Sequence, residues 1–490
     1  VFQQNILLSI ATCAPLPVYE GAPFSEAAIH QWSLRDYQVA LLTEVARLMA
    51  LGYRRILIQL PTGGGKTRMA GAMLGSIDGT GQFIVHRKEL IDQTSSTFDE
   101  LGIRHGFIAA GRPDDFAPVM LAGVQTLVNR LGLPPDLAII DEAHHATASS
   151  WDRIMEHYYD SYALGLSATP ERLDGRGLQD HFDVIVCGPS TAWLIEHGYL
   201  SPYSYYAPSL PDLTGVHTVA GDFNRGELAH AMDKPKLIGD VVEHYLQLAS
   251  GKQGIVFGAS REHSRNLADA FAFNGVRAAH VDGSMGDKQR KSIVDAFREG
   301  ALDVMTNVDL FGEGFDVPGI VYVGLARPTK SLALFLQQVG RGLRVIPGKT
   351  EAVICDHAGN AFRHGLPDDE REWKLEGRPK QARGAPADAF PIRQCETCFR
   401  ISPSSVRECP GCGEEFPIQV RELRQEAGKL TKLEREELRK AASRRRKAEE
   451  KECKTYEQFK SLAIARGYDH PHAWAKMKMS FKNGGYRRRV

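Results

Sequence analysis

The chain has 490 residues, 43% of them hydrophobic and 24% charged, with 60 Lys/Arg balanced by 60 Asp/Glu. That length allows two large domains plus smaller extras, and no apolar run approaches the 18 or so residues of a membrane helix, which argues against a membrane partner. Taken alone, zero net charge argues against nucleic acid as well, but it is a cancellation: Arg421–Val490 holds 21 basic against 10 acidic residues, and the first 420 residues hold 39 against 50.

Residues 1–30, with three prolines and no clear periodicity, read as a poorly ordered leader, and with no Lys or Arg before their short apolar run a secretory signal is not expected. A first α/β domain is expected over 31–200. Within it, Arg55-Ile-Leu-Ile-Gln-Leu60 reads as a buried strand, Pro61-Thr-Gly-Gly-Gly-Lys-Thr67 as a glycine-rich turn and the following RMAGAMLG as a helix. Backbone N–H groups at Gly63, Gly64 and Gly65 can wrap phosphates at the helix N-terminus. Lys66 would then reach the β/γ-phosphates, and the Thr67 hydroxyl would serve Mg²⁺. The strict pattern places Gly where this chain has Leu60, so the loop alone could be a mere turn.

A second apolar strand, Leu137–Ile140, ends on Asp141-Glu142-Ala143-His144. Acidic residues at the carboxyl end of a parallel strand sit where such sheets bind ligands. Asp141 suits Mg²⁺, and Glu142 suits orientation and deprotonation of an attacking water. The plainer reading is a solvated loop end.

PTGGGKT followed by DEAH resembles the superfamily 2 helicases and translocases, and the rest of that family's motif series occurs in order. Leu34-Arg-Asp-Tyr-Gln38 is similar to its adenine-reading segment, which implies ATP-binding roles for Arg35 and Gln38, and the likeness of PTGGGKT implies one for Thr62 in the phosphate loop. His86-Arg-Lys-Glu-Leu90 and Gly123-Val-Gln-Thr-Leu127 resemble its strand-tracking motifs, implying nucleic-acid contacts at Arg87, Gln125 and Thr126. His144 and Ser167-Ala-Thr169 resemble the elements that couple hydrolysis to grip.

The second half continues the series with Gly254-Ile-Val-Phe257, Gly258-Ala-Ser260 and His280-Val-Asp-Gly-Ser284. Val304-Met-Thr-Asn307 leads into VDLFGEGFDVP, where the resemblance implies a nucleic-acid contact at Thr306 and nucleotide contacts at Gly314 and Asp316. Gln337-Gln-Val-Gly-Arg-Gly-Leu-Arg344 resembles the arginine-finger motif, with Gln337 in coupling and Arg341 and Arg344 in catalysis. Two arginines three apart can face one cleft if the stretch is helical, and guanidinium groups stabilise the charge spread over a transferring phosphoryl group.

The resemblance spans about residues 32–360 and implies two tandem RecA-like domains, parallel sheets flanked by helices, with ATP in the cleft between them. The expected layout is a first motor domain at 31–200, a connection at 201–235, a second motor domain at 236–365 and a linker at 366–390. Strings such as LSATPERLDG, GFDVP, PGKT and DHAGN look most like the RadD-type repair helicases and their phage relatives.

Four cysteines are scattered singles (Cys13, Cys187, Cys355, Cys453), which is no disulfide framework and suggests a reducing, cytoplasmic compartment. Cys395-x2-Cys398 and Cys409-x2-Cys412 have zinc-ribbon spacing over 391–418, and four thiolates would leave a structural Zn²⁺ with no open position. A Glu/Lys/Arg-rich helix is expected over 419–455. The basic tail at 456–490 carries aromatics that fit either base stacking or the core of a two-helix unit.

The reading that follows is an ATP-dependent DNA helicase or translocase acting in repair, recombination or replication, with single-stranded, forked or branched DNA as its partner. RNA as the track, or an ATP-gated nucleic-acid clamp, are the alternatives.

Overall fold

The computed structural model describes residues 8–10, 24, 29–113, 115–145, 149–171, 177–208, 210–219, 221–308, 310, 319–376, 391–416, 450, 453–465 and 471–482. These fall into two compact units, Val1–Phe416 and Pro417–Val490.

The first sheet contains β1 (Leu8–Ile10), β2 (Arg55–Gln59), β3 (Gly81–Val85), β4 (His105–Ile108), β5 (Val119–Gly123), β6 (Leu137–Ile140), β7 (Tyr162–Ser167) and β8 (Val184–Cys187). Its order is β1-β8-β2-β7-β6-β3-β5-β4. All pairings are parallel except β1 with β8. Strands β2, β6 and β7 are runs such as Ile-Leu-Ile and Leu-Ala-Ile-Ile, buried almost throughout, as parallel strands covered on both faces must be. Each large aliphatic side chain buried there contributes about 1.5–3 kcal/mol. Because β2, β7 and β6 are neighbours, three loops at their carboxyl ends meet at one place. Helix α1 (Asp36–Ala50) packs against this sheet and α2 (Lys66–Gly75) leaves the loop after β2. Strand β1 lies within the expected leader: its Leu-Ser-Ile segment covers the β8 edge, a pairing no local periodicity announces.

The second sheet is wholly parallel, in the order β13-β14-β12-β15-β16-β9. It comprises β9 (Tyr203–Tyr206), β12 (Gly254–Gly258), β13 (Ala278–Val281), β14 (Val304–Asn307), β15 (Tyr322–Ala326) and β16 (Ala352–Asp356). The stretch expected as a connection at 201–235 therefore supplies an edge strand. It also supplies a small hairpin, β10 (Thr218–Val219) with β11 (Asp222–Phe223), and a helix, α3 (Arg225–Met232), before α4 (Pro235–Ala249). These are the two RecA-like domains, each a parallel sheet flanked by helices.

The expected linker at 366–390 divides. Residues 377–390 lie outside the described residues, but 366–376 form a strap that returns to the first domain. Arg371 donates to the carbonyls of His364, Leu366, Pro367 and Asp369. The Leu375 carbonyl accepts from Leu178 N (2.7 Å) and Gln179 N (3.2 Å), and its side chain is fully buried with Leu178 and Phe182.

A two-stranded ribbon, β17 (Ile392–Gln394) with β18 (Ile401–Pro403), carries the cysteine knuckles. It continues the edge at β9, where Tyr206 bridges Arg400 and Ala207 N donates to Phe399 O. In the second unit the charged helix expected at 419–455 falls almost wholly outside the described residues. The tail forms two helices, Tyr456–Ala465 and Pro471–Lys482, with Phe459 buried and edge-on to Trp474 at 6.1 Å. These two rings pack into a helical hairpin core, as the second of the two tail readings requires. No described helix is long and apolar enough to cross a membrane.

Candidate ATPase cleft and nucleic-acid groove

The phosphate loop turns through two left-handed glycines, Gly63 (φ 86°) and Gly65 (φ 83°), the latter capping α2. That conformation is open to glycine and strained for other residues. A Cβ on Gly65 would also stand 2.4 Å from Gln38 Nε2. Gln38 and Tyr37 both donate to the Gly64 carbonyl, at 3.0 and 2.9 Å, and Arg35 donates to the Tyr37 hydroxyl at 3.0 Å. Arg35 and Gln38 are thus gathered at the loop. Tyr37, which the motif reading passed over, braces it from a cluster with Trp193 and Tyr199. Its adjacency to Gln38 was the available signal.

Lys66 Nζ reaches the Leu60 carbonyl at 3.4 Å and stands 3.9 Å from Glu142 Oε1. Glu142 has φ 48°, a left-handed conformation that costs a non-glycine residue about 1–3 kcal/mol. His144 Nδ1 lies 3.4 Å from Glu142 Oε2 and 3.0 Å from Ser167 Oγ, which in turn accepts from Thr169 N at 3.1 Å. Lys66, Glu142, His144, Ser167 and Thr169 therefore form one continuous set. Asp141 is buried at the end of β6, and Thr67 is half-buried in the first turn of α2.

The second domain closes the cleft with α5 (Leu332–Gly340). A Cβ on Gly340 would lie 2.5 Å from Thr62 Cγ2, so only glycine permits this seating on the phosphate loop. Gln337 and Arg341 are buried there. The helix ends at Gly340, and residues 341–343 form a turn, so Arg344 extends from this turn and not from a helix face. Burial pulls the Arg344 guanidinium down to about 10. Lys349 donates to the carbonyls of Ile320 (2.8 Å), Gly342 and Arg344 (3.1 Å), pinning the turn between the two arginines. Burial, and secondarily the Arg344 charge, lowers Lys349 to about 8. Lys349 lies in the quoted PGKT string, but its role was not legible there.

Side-chain atoms of Thr62, Thr169, Glu142 and Gln337 are buried around this cleft without hydrogen-bond partners. Buried polar atoms left unpaired are costly, and a polyanionic ligand with a divalent cation would supply partners for the hydroxyls, the carboxylate and the amide. The residues fit Mg-ATP. Gly314 and Asp316 lie outside the described residues.

A groove of about 440 Å³ runs between the domains, lined by Arg87, Arg225, Arg261, Arg290 and Arg327 together with Ser260 and Gly283, with no acidic residue in its lining among the described residues. Gln125 is exposed nearby, its amide 3.3 Å from the His86 carbonyl, and Thr126 is half-buried beside it. Thr306 differs from expectation: it is fully buried inside the second domain, exchanging hydrogen bonds with Ser264 at 2.7 and 3.0 Å. It occupies an inner strand, flanked by β12 and β13.

At the ribbon, Sγ atoms of Cys395 and Cys412 are 3.6 Å apart and those of Cys398 and Cys409 3.5 Å, all four lying within 4.8 Å of one another. A tetrahedral ion with metal–sulfur distances of about 2.3 Å needs edges of about 3.8 Å, so the thiols fit such an ion. The residue after each knuckle, Phe399 (φ 60°) and Gly413 (φ 76°), is left-handed.

Two family models match the chain: the type III restriction enzyme, res subunit, over residues 31–172, and the helicase conserved C-terminal domain over residues 234–346. A 51.5 kDa protein of Lactococcus phage (isolate 7-9) is 36% identical over 396 residues, which cover 78% of this chain and 83% of the phage protein. The candidate ATP-dependent helicase IRC3 of Saccharomyces cerevisiae is 32% identical over 357 residues, 66% of this chain and 51% of IRC3, so the match spans about half the length of that relative. In fold, the chain is similar to a fragment structure of an HsdR-type subunit of a type I restriction enzyme from Vibrio vulnificus YJ016, with a TM-score of 0.55, 23% identity and coverage of 72% of this chain and 69% of that one. With the motif series, the paired parallel sheets and both family models in agreement, the chain belongs to the superfamily 2 helicases, as an ATP-hydrolysing member.

Proposed function

We propose that this helicase couples Mg-ATP hydrolysis to movement on DNA, with the arginine-lined groove as its track. The observation that carries the reading is the cleft itself: Lys66 and Glu142 stand 3.9 Å apart on the first domain while Gly340 seats the arginine turn on Thr62. In this reading Lys66 and the loop amides hold the phosphates, and Arg35 and Gln38 serve the adenine end. Thr67 and Asp141 hold Mg²⁺, which neutralises phosphate charge. Glu142 takes the proton of the attacking water, and Arg341 and Arg344 stabilise the charge that develops on the transferred group. Coupling is assigned to His144, Ser167, Thr169 and Gln337, and strand contact to Arg87, Gln125 and Thr126.

DNA is preferred to RNA because the first matching family model is described from a restriction enzyme subunit, and restriction enzymes act on DNA. Zn²⁺ is the metal proposed for the four thiols, because a thiolate tetrahedron suits it. A reducing compartment suits those thiols and the scattered cysteines. Kinship with phage proteins is supported by the Lactococcus phage relative.

ATP hydrolysis should rise on addition of single-stranded or forked DNA and fall to background in Lys66→Ala and Glu142→Gln, with Glu142→Gln still binding ATP. Unchanged hydrolysis in both variants would overturn the catalytic assignment. Stronger stimulation by RNA would move the track to RNA, and hydrolysis without strand displacement or translocation would favour the clamp.

A further inference from the structure

The stretch between the two sheets is more than a connection. Leu228 and Met232 of α3 are buried together with Ala259 of the groove wall, and Leu213, Val216 and Phe223 pack against them. Asp222 fastens the hairpin to the loop after β15: it accepts from Lys330 N at 2.7 Å and Thr329 Oγ1 at 3.0 Å, and it lies 3.7 Å from Arg327 Nη2. Lys330 and Arg363 cover the Phe223 ring at 4.8 and 5.4 Å. So anchored, Asn224 caps α3 by accepting from Gly226 N and Glu227 N. The first residue of the helix, Arg225, then becomes part of the groove lining.

We infer that the hairpin–helix insert, residues 210–232, is a third nucleic-acid-gripping element, in which Arg225 holds a backbone phosphate and Asp222 holds Arg327 until the strand arrives. The inference rests on the groove being the track. Among the described residues the groove lining carries five guanidinium groups and no carboxylate, with Asp287 paired to Arg290 beside it, and such a surface takes a polyanion. Arg225 reaches it from the insert, Arg87 from the first domain, and Arg261, Arg290 and Arg327 from the second, so one strand can be held from three sides. At 3.7 Å the Arg327–Asp222 contact is an ion pair without a hydrogen bond, and a phosphate offering direct charge-assisted bonds outcompetes it. Asp222 keeps its two donors on Thr329 and Lys330 when this happens, so the loop stays in place. That loop leads to Ser331, the N-cap of α5.

The test uses the full chain and a fluorescent single-stranded oligothymidylate, with affinity measured across a salt series. Arg225→Ala should weaken binding about five- to tenfold and reduce the steepness of the log–log salt dependence by about 0.7. Arg225→Lys should recover most of both, because the cation is retained. Asp222→Asn, which keeps its acceptor oxygen and loses its charge, should bind more tightly than wild type. Wild-type binding with Arg225→Ala unchanged in affinity and salt slope overturns the inference and leaves the track reading standing. Equal losses in Arg225→Ala and Arg225→Lys also overturn it, since the residue would then be a structural part of α3. A wild-type chain that binds no nucleic acid removes the track reading itself, and this inference with it.

Discussion

At the scale of single residues, the arginine turn depends on a cation that never touches the nucleotide loop. Lys349 spends its three donors on three carbonyls, two of them in the turn that carries Arg341 and Arg344. As a neutral amine it would have two donors and leave one buried carbonyl unpaired, at a cost of about 1–3 kcal/mol. Since its proton leaves at about pH 8, kcat for ATP hydrolysis should decline as pH rises above 8. Lys349→Arg, whose charge persists to far higher pH, should flatten that decline in a kcat-against-pH profile. A wild-type profile level to pH 9.5 would rule out the positioning role. Close packing explains why glycine occurs at 340 and why the motif string QQVGRGLR is legible at all: Thr62 leaves no space for a Cβ.

At the scale of elements, legibility followed how local the signal was. The phosphate loop, the acidic strand end and the cysteine knuckles each announce themselves within a few consecutive residues, so they could be read directly. Strands β10 and β11 have two residues each, too few to show a period. The strap is held through one arginine fork and one leucine, and the buried place of Thr306 depends on neighbours far away in sequence. The ribbon gives a testable case of an element acting through an edge. It shields the exposed end of β9 by way of Ala207, Phe399, Tyr206 and Arg400. Treatment with a chelator, which would strip any metal the four thiols hold, or replacing Cys395 with Ser, should lower the melting temperature and raise aggregation on heating. An unchanged melting curve in Cys395→Ser would show that the ribbon is no clasp.

At the scale of the whole molecule, acid should be more damaging than the neutral net charge suggests. Burial holds His263 down to about 4 and His357 down to about 3. His263 Nδ1 accepts from Ala259 N at 3.2 Å, which the charged ring cannot do. Both folded values lie below the unfolded histidine value of about 6.5, so the unfolded chain binds more protons between about pH 6.5 and 4. Stability present above 6.5 is therefore lost as pH falls through that window, by up to about 3 kcal/mol for His263. Melting temperatures should drop steeply from pH 7 to pH 5, and less steeply in His263→Gln. Parallel curves for the two proteins would assign the loss elsewhere.

The strap and β9 together alter what the cleft can do mechanically. The chain crosses from the first domain to the second just before β9 and crosses back through residues 366–375. A body hung on one tether can swing and twist in any direction. Hung on several, it loses much of that freedom. After each opening of the cleft the arginine turn should then return to the same seat over Thr62.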